Sequence, residues 1–363
     1  MRIYLISFLL LGFLASAQQN SNSHAVEVHF LRGNILPHSP ELYHLITGHP
    51  EGVMVNFARQ THGSEEWQTA YNFPDYGFYF LYQDFKNEIL GKNYALGANY
   101  KFYFLNRHLT LLVGQGIAMT THPYDKYTNS KNRAFGSKYM GNTNFMLGYQ
   151  KDRIMGGLGF EAGLFFTHYS NGRSKSPNSG INTYGLNLGL NYDFDSKTLA
   201  RRDSVVPMKQ FSEPIKFNAV FRYGFNESQV IGSGQKPFYH VGIYADKRLN
   251  RKSALQFGLD FFATHSIKEY IKYRSIAYAY EHVDPDTDYR RIGLFFGHEL
   301  FINKLSIETQ VGYYVYRPFE LDKPYYDRLG FKYYWTPKLF TGVAVKTHGF
   351  LAEAIEYGVG VRL

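Results

Sequence analysis

The chain has 363 residues, 18% of them aromatic, with 32 Tyr and 31 Phe against 2 Trp, no cysteine, and a formal charge of +9. The missing cysteines exclude a disulfide-stapled exported fold, a thiolate metal site and a cysteine nucleophile. The positive charge is spread through turns and alternate strand positions instead of forming a basic helix or arm, which argues against nucleic acid and for solvated lumen and loop charge.

The N-terminus runs from Arg2 through the apolar stretch Ile3 to Leu14 and on to Ala15-Ser16-Ala17. This is the order of parts in a cleavable secretory signal, so residues 1–17 are expected to be removed and residues 18–363 to form one outer-membrane β-barrel domain. A spanning helix needs roughly 20 apolar residues, which neither this stretch nor any later one supplies. Further on, His62 and Trp67 stand close together in Gln60-Thr61-His62-Gly63-Ser64-Glu65-Glu66-Trp67 and are read as packing or interfacial girdle, without chemistry.

From Asn93 onward a two-residue alternation sets in. Tyr94, Leu96, Ala98, Tyr100, Phe102 and Phe104 share one face, while Asn93, Gly97, Asn99 and Lys101 share the other. The same pattern returns from Ile215 (Phe217, Ala219, Phe221, Tyr223), from Leu255 (Phe257, Leu259, Phe261), from Leu305 (Ile307, Val311, Tyr313) and from Ile355 to Leu363, with charges on one parity only. Strands with one face in lipid and one in a polar lumen read this way, and an aromatic-rich composition suits girdles at both interfaces. A soluble β-sandwich also alternates, but its strands are usually shorter.

Tight turns are expected at Asn106-Arg107, Lys151-Asp152-Arg153, Asn250-Arg251-Lys252, Asn303 and Thr336-Pro337, and long external loops near residues 119–138, 171–182, 225–236 and 265–289. Counting segments predicts an all-β, transmembrane antiparallel barrel of about 14 strands, within a range of roughly 12 to 16. Residues 33–92 and 195–213 read poorly.

One stretch departs from strand and turn. His168 and Ser170 lie two residues apart on a strand, so both project from one face, and parity places them with Phe160, Leu164 and Phe166 on the lipid side. In the returning strand Asn182 shares the parity of Tyr184, Leu186, Leu188 and Leu190. An imidazole beside a hydroxyl can take its proton during attack on a carbonyl. A site on the lipid-facing wall receives only a substrate already in the membrane, which points to an acyl ester. Against this stands the plainer reading of three ordinary polar residues at a strand rim.

The wording His168-Tyr169-Ser170-Asn171-Gly172, followed by Pro177-Asn178-Ser179-Gly180, resembles the lipid A 3-O-deacylase family of outer-membrane barrels. The resemblance implies that Ser170 is the nucleophile and His168 the base, that Asn171 and Asn178, with Gly172, lie at or near the oxyanion or substrate site, and that no cofactor is needed. That family places an acidic residue where this chain has Asn182. The stretch His168 to Ser174 together with Asn182 is also similar to outer-membrane phospholipase A, whose triad is Ser, His and Asn, so an amide in that place does not exclude catalysis. The segment from Tyr127 to Ser137 is similar to longer deacylase-like or acyloxyacyl hydrolase-like proteins and is read as a structured external loop, with a headgroup contact as the sharper alternative.

The expectation is therefore an exported serine ester hydrolase in the outer membrane of a Gram-negative bacterium, acting on an acyl chain of lipid A or lipopolysaccharide with a membrane lipid as its partner. Phospholipase A is the alternative and would bring a calcium requirement. A non-enzymatic transport or structural barrel is the second. No metal-ligand spacing and no phosphate-binding glycine loop stands out in the sequence.

Overall fold

The computed structural model describes residues 23–194, 211–349 and 351–363, and the expected signal peptide lies outside them. Eight strands form the first half: β1 His24–Ile35, β2 Glu51–Arg59, β3 Asp75–Asp84, β4 Lys92–Phe104, β5 Leu109–Thr120, β6 Tyr139–Met155, β7 Leu158–Ser170 and β8 Ile181–Asp193. Eight more form the second: β9 Lys216–Asn226, β10 Lys236–Arg248, β11 Ser253–Thr264, β12 Arg291–Ile302, β13 Leu305–Tyr316, β14 Tyr325–Tyr334, β15 Leu339–His348 and β16 Leu351–Arg362. Every neighbouring pair is antiparallel, and none of the described helices is long and apolar enough to cross a membrane.

The strands close as two rings, β1 to β8 and β9 to β16. The sixteen described strands lie within the expected range of roughly 12 to 16 and are all-β and antiparallel as expected; what differs is the closure, into two rings where one was expected. The reason lies in the lumen. An eight-stranded ring is just wide enough for side chains to fill it, so residues on strands far apart in the ring can touch. Lys101 on β4 reaches Glu27 on β1 and Glu161 on β7, at 2.6 Å each. In the second ring Arg328 on β14 bonds Asp260 on β11 at 2.7 Å and Glu356 on β16 at 2.6 Å, while Lys332 pairs with Glu299 and Glu308. A wider ring would separate the partners that stand three strands apart, Lys101 from Glu27 and Glu161 and Arg328 from Asp260, and leave buried charges uncompensated. The lumen is thus packed with paired charges, not filled with water as the polar parity suggested.

Outward parity carries the apolar residues, as expected. Leu186, Leu188 and Leu190 on β8 are 65%, 63% and 59% exposed, and Phe217, Phe257 and Val311 continue such a band on the second ring. A contiguous band of this kind is stable in lipid and not in water.

The first ring is plugged on the side of its long loops. Leu42 and Leu45 from a short 3-10 turn, Phe85, Leu90, Ala134 and Phe135 from the loops, and Leu31, Ile35, Leu81, Tyr169 and Ile181 from strands form one buried apolar cluster. Two loop expectations change. The turn placed at Lys151-Asp152-Arg153 is instead an irregularity within β6, with the hairpin at Gly156-Gly157, where Gly156 supplies the positive φ that the turn requires. The long loop after β11 contains a helix, His265–Ala277, which buries Ile267, Tyr270 and Ile271.

The two rings touch at both ends. At the short-turn end the helix Glu66–Ala70 and its flanks meet the second ring: Tyr71 Oη donates to Phe301 O at 2.7 Å and Arg251 pairs with Glu66. Trp67 packs against Tyr76 and Tyr100 there, and His62 bonds Ser23 Oγ at 2.9 Å, far from the site described next. At the long-loop end the contact is made by the β7–β8 loop.

Candidate active site

His168 and Ser170 end β7, and Asn182 begins β8. All three are half-buried on the outer wall, while the intervening Tyr169 is fully buried and packs edge-on against Phe85 and Phe135. A large core side chain packed this way resists truncation by about 3–5 kcal/mol, so the strand end that presents His168 and Ser170 is anchored from behind. His168 pairs across the ladder with Asn182 on one side and Thr143 on the other, and Thr143 pairs in turn with Gln115. Four outward polar residues therefore occupy one row just where the apolar wall ends.

Asn182 Oδ1 lies 2.5 Å from His168 Nδ1, and Asn182 Nδ2 lies 3.2 Å from Nδ1 of His38. The other nitrogen of His38 is 2.8 Å from the carbonyl oxygen of Ser179, which can only accept, so His38 Nε2 carries a proton. In the neutral ring His38 Nδ1 is then an acceptor, 3.2 Å from Asn182 Nδ2 and 3.4 Å from the Leu36 carbonyl, which has no proton to give; it takes an N–H from Asn182, which turns the amide oxygen toward His168. His168 must donate from Nδ1, leaving Nε2 as a base. This assignment of protons follows from the network and fixes the tautomer that general-base chemistry needs.

Ser170 Oγ accepts from the backbone N–H of Gly172 at 3.0 Å and from Asn178 Nδ2 at 2.9 Å. Two donors converge on one hydroxyl. Gly180, at φ +69°, stands against both catalytic candidates: a Cβ there would lie 3.3 Å from Ser170 Cβ and 3.4 Å from His168 Cε1, so glycine keeps the space between them open. Asn171 does not join this group. Its side chain is buried and donates to Ser137 Oγ at 3.0 Å and Lys175 O at 2.9 Å, while its backbone N–H donates to Asn178 Oδ1 at 3.0 Å. It shapes the loop and orients Asn178.

The loop expected between Tyr127 and Ser137 buttresses the same site. The carbonyls of Arg133 and Ala134 accept from the N–H groups of Ser179 and Gly180, at 3.1 Å each, and Asn132 turns the segment by accepting from Ala134 and Phe135. Sequence reasoning missed His38, which sits in an irregular stretch 141 residues from Ser179 and carries no local pattern. His38→Ala should lower activity by about tenfold, because Asn182 then keeps its place by the sheet but loses the bond that fixes its orientation. Initial rates of the folded variant check this, and an unchanged rate would remove His38 from the hydrogen-bond chain that orients His168.

Among the described residues one group of three side chains has metal-ligand character, Asp322, His348 and Glu353 in the second ring. Glu353 is already paired with Arg291 and Lys346, and two cations at the same carboxylate disfavour a third. No metal role is assigned to it.

Two family profiles match the chain in tandem. Lipid A 3-O-deacylase (PagL) matches residues 51–191, inside the first ring, and the acyloxyacyl hydrolase C-terminal domain matches residues 215–363, the second ring. No curated protein matches the chain. Among solved structures, a mutant of the Rh. blastica porin aligns at 11% identity over 94% of this chain and 99% of its own, with a TM-score of 0.20. The Acinetobacter baumannii outer membrane protein Omp33 aligns at 9% identity over 94% and 98%, with a TM-score of 0.18. Superpositions this loose carry no argument.

Proposed function

We propose, from the premise that this chain belongs to the PagL-type lipid A deacylase and acyloxyacyl hydrolase family of the outer membrane, that it hydrolyses an ester-linked acyl chain of lipid A with Ser170 as nucleophile and His168 as base. The observation that carries the reading is the hydrogen-bond chain running from Ser179 O through His38 and Asn182 to His168, beside a serine whose Oγ receives two N–H donors.

In the first step Ser170 Oγ attacks the ester carbonyl carbon and its proton passes to His168 Nε2. The carbonyl oxygen becomes an oxyanion, and the donors proposed to shift onto it are Gly172 N–H and Asn178 Nδ2, which bond Oγ before attack. Collapse of the intermediate breaks the bond to the sugar oxygen, which leaves with the proton from His168. Water, deprotonated by His168, then releases the acyl group as a free fatty acid. Asn182 keeps Nδ1–H donated throughout and supplies no full negative charge.

The outward placement of the site requires a substrate whose acyl chains lie along Leu164, Phe166 and Leu186, as those of a lipid in the same leaflet do. The long-loop end would then face outside. Cysteines introduced at Lys175 and at Asn250 of this cysteine-free chain check the topology: an impermeant maleimide on whole cells should label the first and spare the second, and the opposite result would invert it.

Mass spectrometry of lipid A and phospholipids from cells expressing the protein tests the reaction. Loss of one hydroxyacyl chain from lipid A is expected. Lysophospholipid with intact lipid A would instead favour the phospholipase, the reading that Asn182 in the triad position also suits.

A further inference from the structure

The loop between β7 and β8 is held from two sides. The first ring holds residues 171, 175, 178, 179 and 180 through Ser137, Arg133, Ala134 and bonds within the loop. The second ring holds the residues between them. Glu227 N–H donates to Arg173 O at 3.0 Å, Gln235 Nε2 donates to Ser174 O at 2.8 Å, and Ser176 Oγ donates to Ser228 O at 2.8 Å. The buried Glu227 carboxylate accepts from Ser176 N–H at 2.7 Å with one oxygen and from Gly234 N–H at 2.9 Å with the other.

The contact bears on the chemistry because of what the loop does between these points. Gly172 and Arg173 both have left-handed backbones, at φ +60° and +62°, and this pair of residues turns Gly172 N–H back onto Ser170 Oγ. A left-handed arginine is disfavoured and persists only where its surroundings hold it. Here the hold on Arg173 is the N–H of Glu227, and the hold three residues on is the carboxylate of Glu227. Gly172 is also pressed against Ile355 on β16: a Cβ at Gly172 would come within 2.3 Å of Ile355 Cγ1.

We propose that the second ring is a working part of the active site, and that Glu227 is a positioning residue which holds the β7–β8 loop so that Gly172 N–H and Asn178 Nδ2 face the developing oxyanion. The proposal rests on the reading of Ser170 as nucleophile. It assigns to the C-terminal ring a role that its packed lumen does not suggest, namely completing a site whose nucleophile and base lie wholly on the other ring.

The test uses the full-length protein with purified lipopolysaccharide, folding being checked by heat-modifiable migration. Glu227→Ala should lower kcat by about 10- to 100-fold with KM changed less than about threefold, because donors that act on the oxyanion stabilise the transition state and not the bound substrate. Glu227→Gln should fall between Ala and wild type, since its amide oxygen can still accept from one of the two N–H groups. If the Ala variant fails to insert, the Gln variant carries the test through the same split of kcat from KM. A cycle with Asn178→Ala separates positioning from general loosening: if Glu227 acts through the oxyanion donors, the double variant loses clearly less than the product of the two single losses. Losses that multiply in full, or a folded Glu227→Ala protein at wild-type kcat while Ser170→Ala is inactive, overturn the inference alone. Wild-type activity in Ser170→Ala overturns the parent reading and the inference with it.

Discussion

Ser170→Ala is expected to abolish lipid A deacylation, with a loss on the order of 10⁴-fold or more, as removal of a serine nucleophile does when the acyl-enzyme route closes. The residual rate would come from the oxyanion donors acting on direct attack by water. The variant should still fold and insert, at a cost of about 1–3 kcal/mol, because the buried Gly172 N–H loses its acceptor while the half-buried Asn178 amide can turn toward water. Lipid A from cells expressing the variant should keep its full set of acyl chains, and purified variant protein should release no fatty acid. Retention of more than about a tenth of wild-type activity by an inserted Ser170→Ala protein would remove Ser170 as the nucleophile and move the search to Thr143, the other hydroxyl paired with His168 on this wall. His168→Ala should match it closely, because nucleophile and base act as one unit and their losses do not add.

Much of the wall was legible in the sequence, and the reason is visible in where legibility failed. In β4, β9, β11 and β13 the lumen side is polar, so alternation stands out. In β1 the polarity changes sides along the strand: Glu27 and His29 face in while Val28 and Phe30 face out, and then Leu31 and Ile35 of the apolar plug face in while Arg32 and Asn34 face out. In β3 the lumen side carries Tyr79 and Leu81 of the plug and the outer side Phe78 and Phe80, so both faces are apolar there and period two disappears. Ring size was illegible for another reason: closure of β8 onto β1 is a pairing across more than a hundred residues, and it depends on details such as Gly189, where a Cβ would lie 2.3 Å from His29 Nδ1. His168, Ser170 and Asn182 were legible because two short periodicities place them. His38 and Glu227 reach the site from irregular loops, and nothing local to them marks the residues they touch.

The division of the chain into two packed rings also bears on how the site can be exact while lying in lipid. A wall of side chains facing acyl chains offers little to fix a rotamer, and the sheet ladder fixes only the backbone. Order is imported from behind, by Tyr169 in the plug, and from above, by loop groups that bond one another, Asn171 to Asn178 and to the Lys175 carbonyl. The proposed catalytic groups are then the outward residues at the loop ends of their strands, where polar atoms from the loops can still reach them.

Asn182 is the position at which this arrangement makes its sharpest claim. Asn182→Ala should cost roughly 10²-fold in kcat, less than the approximately 10⁴-fold seen when a substituted partner enforces the wrong tautomer, because a free imidazole still spends part of its time with Nε2 unprotonated. Asn182→Asp should be tolerated within about tenfold, since a carboxylate accepts from His168 Nδ1–H and stabilises the imidazolium that forms. The aspartate, however, has no N–H to give to His38. At a pH high enough to keep the His38 ring neutral, with Nε2 still donating to Ser179 O, its Nδ1 lone pair would face a carboxylate oxygen across the 3.2 Å now spanned by a hydrogen bond. The sign of the His38 effect should therefore reverse: His38→Ala lowers the rate of the wild-type chain, but leaves unchanged or raises the rate of Asn182→Asp. Four rates, from wild type, each single variant and the double, decide it by the cycle they form. Equal losses on removing His38 from both backgrounds would mean that the amide does not connect the two histidines, and that His168 takes its orientation from the strand alone.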